Sequence, residues 1–172
     1  PEHAAQGIAW GMETDLLDVL LGAWERNNRI LVNLLRVLPP GGLEARAQPG
    51  HPTVAQMLTH VVYVRVILVE ENAPEAAVPV PGEEWEAQSD PEVIARDLEA
   101  SAAAVRDAVR GRIVQGRMLN DRYDHPLLLL QHLIWHEGYH HGQIKLALQA
   151  AGTPLPDDVA GPLTWGVWMR RS

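Results

Sequence analysis

Apolar residues recur at three- and four-residue intervals from about Thr14 to Leu38, through Leu16, Leu20, Trp24, Leu31, Leu35 and Leu38. This is the period of a helix with one buried face. Thr14 is a candidate N-cap, and Pro39-Pro40-Gly41-Gly42 stops the helix, because proline has no amide hydrogen for the ladder. After a loop to about Gly50, a second helical pattern runs from Thr53 to Glu71 through Val54, Met57, Leu58, Val61, Val64 and Leu68, with Pro52 suited to its first turn. The β-branched run Val61-Val62-Tyr63-Val64 has strand character. The apolar segment is nevertheless too long for a usual strand and has no internal turn signal, so a helix is expected.

From Ala73 to Gln88 prolines and acidic residues interrupt the pattern, marking a connection that crosses the molecule. Ser89 with Glu92 fits a capping box and Asp90-Pro91 fits a cap followed by a first-turn proline, so a third helix is predicted from there to about Arg110. Gly111 and Gly116 bracket an irregular stretch. Asp124 is then a candidate cap for a fourth helix that reaches about Ala150 and stops at Gly152, with Pro154 beyond. The residues from Pro154 to Ser172 carry Trp165 and Trp168 and are too few for a domain, so they are expected to dock on the helices. The pattern predicts an all-α chain: an antiparallel four-helix bundle with a long crossover between helices 2 and 3 and a short C-terminal docking tail, forming a single domain over 1–172. No internal repeat is present.

Composition narrows the chemistry. With 172 residues, 47% of them hydrophobic, the chain can build one sizeable core. A net charge of −8 argues against nucleic acid and anionic membrane surfaces as partners. No cysteine is present, which removes disulfides, thiolate metal sites and a cysteine nucleophile. Pro1-Glu2-His3 begins no signal peptide, and no apolar run reaches the roughly 20 residues of a membrane span, so a soluble cytoplasmic protein is expected.

Eight histidines stand out, and four of them, His132, His136, His140 and His141, fall within ten residues. Residues four apart on a helix have β-carbons roughly 5–6 Å apart, so two imidazoles can reach one ion at about 2.0–2.1 Å each. His132 and His140 are separated by roughly 12 Å along the axis at 1.5 Å per residue, so this helix supplies at most two adjacent ligands. His136 and His140 lie on the apolar stripe Leu129, Leu133, His136, His140, Ile144 and Ala147. On the second helix His60 lies on the stripe Thr53, Met57, His60, Val64 and Ile67, so two helices present histidines to one interior. Taken alone, a buried His60 is an ordinary hydrogen-bonded core residue. The pair one turn apart favours a divalent metal held by His60, His136 and His140, while His132 and His141 are expected to be exposed or to stand behind the ligands.

His136-Glu137-Gly138-Tyr139-His140 also matches the zinc-protease pattern HExxH. The match ends there: the positions that would continue it as HxxGxxH hold Gln143 and Leu146, and no glutamate follows His140. Glu137 lies about 100° around the helix from His136, which places it behind the ligands or at the surface and gives no reason to assign it as a base. Asn27 falls on the inward stripe of the first helix and reads as a hydrogen-bonded core residue or as a group that orients water or substrate. No catalytic residue is assigned.

The segment Gln131-His132-Leu133-Ile134-Trp135-His136-Glu137-Gly138-Tyr139-His140-His141-Gly142-Gln143-Ile144, together with Thr53-Val54-Ala55-Gln56-Met57-Leu58-Thr59-His60, resembles the DinB-like, or DinB/YfiT-like, family of proposed metal-dependent enzymes. The resemblance covers nearly the whole chain in helix order, in the long crossover and in the ending with Trp165 and Trp168. It implies a four-helix bundle with His60, His136 and His140 as ligands of zinc, nickel or another divalent ion such as iron or manganese, and a homodimer. Relatives include thiol-dependent transferases that use a low-molecular-weight thiol cosubstrate and a maleylpyruvate isomerase, so the resemblance further implies small-molecule chemistry, with transfer or hydrolysis expected from the metal site itself. Three neutral imidazoles leave a metal an open position at which a water or thiol can be activated. The alternative is a non-catalytic metal-binding bundle with a structural or sensing role, distinguished by a closed coordination shell.

Overall fold

The computed structural model describes residues 16–80, 82–120 and 122–169. Among these residues the chain is all helical: α1 (Leu16–Arg36), α2 (Val54–Asn72), α3 (Pro91–Val114), α4 (Leu127–Ala150), α5 (Asp157–Leu163) and α6 (Gly166–Met169), with one 3-10 turn at Pro74–Ala76 and no strand. The β-branched run in α2 is helical because Val61, Val62 and Val66 are buried on several sides of that helix at once.

Caps set the helix starts, and two starts differ from expectation. Pro52 precedes α2 rather than lying in its first turn. Thr53 is the N-cap, and its hydroxyl accepts from Gln56 N at 3.2 Å while Gln56 Oε1 accepts from Thr53 N at 2.9 Å, a complete capping box. Of the two capping signals expected at the start of α3, Asp90-Pro91 is the one used: Asp90 accepts from Glu92 N at 2.9 Å and Pro91 takes the first helical position, so Ser89 is not the cap. Asp124 does not cap α4. Pro126 is the N-cap residue without a side-chain bond, and His125 Nδ1 accepts from Leu127 N at 3.2 Å. Gly111 stays inside α3, which runs on to Val114. The left-handed turn comes at Gly116 with φ +62°, a conformation that glycine adopts without a Cβ clash. The expected cap at Thr14 lies outside the described residues. Leu16, read as part of the buried stripe of α1, is exposed, whereas Trp24, Leu31 and Leu35 are buried.

The four long helices enclose the core. α1 and α2 each pack against α3 and α4, and α3 also touches α4. One cluster joins Leu31 and Leu35 of α1 to Val54, Leu58, Ile94, Leu98, Ile144 and Leu148. The other joins Leu21 and Trp24 to Val69, Val105, Val109, Leu129 and Leu133. Residues 154–169 dock as expected: α5 and α6 contact α1, and Asn33 Nδ2 donates to Leu163 O at 2.9 Å.

Between the two clusters lies a buried polar centre. Arg65 of α2 is fully enclosed and forms a two-pronged pair with Glu137 of α4, Nε to Oε1 at 2.6 Å and the terminal nitrogen to Oε2 at 2.7 Å. Its other terminal nitrogen donates to Asn28 Oδ1, Leu98 O and Ser101 Oγ, and the guanidinium lies 4.8 Å from the Trp24 ring centroid. Asn27 Nδ2 donates to Glu137 Oε2 at 2.6 Å. A charge this deep is tolerated only with full pairing, and here both partners have it.

Candidate metal centre

The helix period brings His136 and His140 to one face of α4, and the packing of α2 on α4 sets His60 opposite them. His136 Nε2 is 3.2 Å from His60 Nε2 and 3.1 Å from His140 Nε2. One ligand-capable atom from each residue lies within 4.8 Å of the others. His60 and His140 are buried and His136 is partly so. A four-coordinate ion at 2.0–2.1 Å from each nitrogen spaces neighbouring donors about 3.3 Å apart, so the two measured spacings suit an ion with only small adjustment.

Electrostatics favour neutral donors. Burial pushes the His136 imidazolium down to about 4, helped by His140, His60, His132 and Arg65 nearby. Burial also lowers His140, with His60 adding to it, and lowers His60 against the opposing pull of Glu84. His136 Nε2 carries either one N–H or one lone pair, so it can make an N–H···N bond to only one of its two neighbours at a time, whereas a cation among the three nitrogens accepts a lone pair from each of them. The donor set therefore fits a divalent ion.

The crossover completes the site. Glu84 Oε1 is 3.0 Å from His60 Nδ1, although off the line of the ring N–H, so the contact is an ion-pair distance rather than an aligned hydrogen bond. Trp85 stacks on the His60 ring with centroids 4.0 Å apart and planes 5° from parallel. Its carbonyl accepts from Gln56 Nε2 at 3.0 Å, which ties the crossover to the first turn of α2. A cavity of about 460 Å³ opens beside His60 and His140, walled by Met57, Trp85, Tyr139, Gln143 and Leu146 among others.

The other expectations divide. His132 is exposed and Tyr123 OH lies 2.9 Å from its Nδ1, while His141 is half-buried behind the ligand face, its imidazolium lowered by burial and by Lys145. Glu137 is behind the ligands, as one of its two expected positions required, and it is not at the surface: it is 1% exposed and held by Arg65 and Asn27. Asn27 is a hydrogen-bonded core residue. Sequence reasoning missed Arg65, although an arginine inside a valine-rich helix was a signal for a buried partner. It also missed Glu84 and Trp85, which no local pattern marks.

The sequence pattern that defines the DinB family matches residues 12–165. The chain belongs to the DinB family. Comparison with curated proteins and with solved structures finds no match for it. The DinB match spans α1 to the end of α5 in the docking tail, and so takes in His60, His136 and His140 together with the crossover that carries Glu84 and Trp85.

Proposed function

We propose that this DinB-family chain binds one divalent transition metal, zinc or nickel, through His60, His136 and His140 and carries out small-molecule chemistry there, either thiol-dependent transfer or hydrolysis. The observation that carries this reading is the convergence of three Nε2 atoms at the edge of a cavity of about 460 Å³. A bound divalent ion supplies Lewis acidity at a coordination position that the three imidazoles leave open. Around it, Glu84 and Trp85 fix the His60 ring, and Tyr139 and Gln143, joined by a 3.0 Å hydrogen bond, offer polar groups that orient a bound molecule. Glu137 has both oxygens committed to Arg65 and Asn27 and takes no proton in this scheme. The cavity speaks for chemistry over a purely structural metal, whose shell would be closed.

The reading includes a single domain. Its long helices form a bundle in which α1 and α2 run antiparallel, as do α3 and α4, and the crossover sets α3 parallel to α2. The makeup of the two core clusters supports this, since the C-terminal half of α1 meets the N-terminal halves of α2 and α3 and the C-terminal half of α4. A homodimer in the cytoplasm also belongs to the reading. Exposed Leu128, Trp135, Tyr139 and Leu146 along α4 support self-association, and no described helix is long and apolar enough to cross a membrane.

Elemental analysis of purified protein tests the site. Near-stoichiometric metal in the wild type, lost in both His60→Ala and His136→Ala, is expected. Metal retained in His60→Ala would remove the cross-helix triad, and no metal in reconstituted wild type would return all three histidines to structural roles.

A further inference from the structure

α4 differs from the other long helices in what it shows to solvent. The chain carries a net charge of −8, and α1, α2 and α3 each expose acids, Asp18, Glu71 and Glu99 among them, whereas the single acid of α4 is the buried Glu137. The face of α4 opposite Glu137 holds large apolar side chains instead: Leu128, Trp135, Tyr139 and Leu146 are 44%, 73%, 57% and 59% exposed. At about 100° per residue, all four fall within about 20° of the direction opposite Glu137. Their spacing of seven, four and seven residues reads the same in both directions along the helix. A copy of α4 laid antiparallel on the first about a two-fold axis therefore sets Trp135 against Tyr139 and Leu128 against Leu146, each pair made twice. The positions between them agree, since Gln131 meets Gln143 and His132 comes over Gly142, where a side chain would meet nothing within 4 Å.

We infer that two copies of this chain pair through α4 about a two-fold axis, and that each copy completes the outer wall of its partner's metal cavity. This deepens the proposed reading, from which it takes the homodimer and the cavity. Tyr139 and Leu146 wall that cavity, and together with Gln143 they also line an open groove of about 880 Å³ between α4 and residues 154–157, so the cavity opens onto the apolar face. Pairing lays the partner's Trp135 on Tyr139 and the partner's Leu128 on Leu146, which turns an exposed rim into a buried one. A second copy of the chain is the occupant that fits, because the spacing is self-complementary and the face carries no acid to repel an equally negative molecule.

Cross-linking through introduced cysteines tests the pairing on the full chain, which has no cysteine of its own. In the double variant Leu128→Cys with Leu146→Cys, the two thiols of one chain are about 27 Å apart along the helix, but each lies against its counterpart in the partner. Oxidation with diamide is expected to convert most of the double variant to a covalent dimer on a non-reducing gel and to leave either single variant uncoupled. Sedimentation should show a wild-type dimer. Trp135→Glu, at a side chain 73% exposed and so outside the core, should weaken that dimer by about 30-fold or more with its circular dichroism unchanged. A monomeric wild type, full dimer affinity in Trp135→Glu, no cross-link in the double variant, or equal cross-linking in a single one would each overturn the inference. Elemental analysis of the same samples keeps the two readings apart. Metal in a monomeric wild type leaves the histidine site standing and removes the pairing, while a cross-linked dimer that takes up no metal removes the site and leaves the pairing.

Discussion

Cutting the buried ion pair between α2 and α4 is the most informative perturbation of this protein. Arg65 and Glu137 are 0% and 1% exposed and meet through bonds of 2.6 and 2.7 Å. Glu137→Gln removes the carboxylate charge and leaves the enclosed guanidinium without its counter-ion. Breaking a buried pair in this way costs about 3–5 kcal/mol. For a domain of this size each kcal/mol moves the melting temperature by about 2–4 °C, so a fall of about 10 °C is expected. Asn27 donates to the same carboxylate, so the amide must also turn its oxygen toward either Arg65 or Asn27, which places the loss toward the upper part of that range. Replacing both partners with apolar residues, as in Arg65→Met with Glu137→Leu, should recover much of the loss, because no lone charge is left behind. The assay is urea unfolding of chelator-treated protein, so that metal binding does not contribute. A change below about 0.5 kcal/mol in Glu137→Gln would refute the reasoning. The same variant separates this reading from a zinc-protease one, in which the glutamate of HExxH would be a base: its replacement would abolish turnover and leave stability intact.

Other perturbations have equally definite outcomes. Glu84→Ala frees the Nδ1 side of the His60 ring and should weaken metal binding by about 10-fold, the low end for residues that orient a ligand, because Glu84 is half-exposed; unchanged affinity in a competitive chelator titration would show that Trp85 alone holds the ring. The lowered imidazoles set a pH window. The unfolded chain takes up protons near 6.5 and folded His136 only near 4, so the contribution is complete above about 6.5 and is lost as pH falls toward 4. Metal-free protein should therefore lose stability across that window, and metal should stay bound at pH 6 and leave as the pH approaches 4, measured by dialysis and elemental analysis; release already complete at pH 6.5 would contradict the lowered values. Thr53→Ala removes one half of the capping box of α2 and should cost about 1 kcal/mol without altering metal content at saturation, read by thermal melting and elemental analysis.

What the sequence by itself determined is what the helix period encodes. Three- and four-residue spacing placed α1 to α4 within a few residues, and the four-residue interval between His136 and His140 put two imidazoles on one face, because both are properties of a single helix. The inward stripe likewise marked His60. Capping was less legible at Ser89 and Asp124, since several residues near a helix start can bond its free amides and the backbone entering the helix decides which one does. Everything that depends on two segments distant in the chain was decided by tertiary structure. Glu137 is separated from Arg65 by 72 positions, and only the packing of α2 on α4 turns it inward to a guanidinium. Glu84 and Trp85 lie in a connection with no period at all, and they reach His60 because the crossover folds back over α2, where Gln56 holds the Trp85 carbonyl. A periodic pattern records which face of an element is buried; it carries no record of what that face will meet.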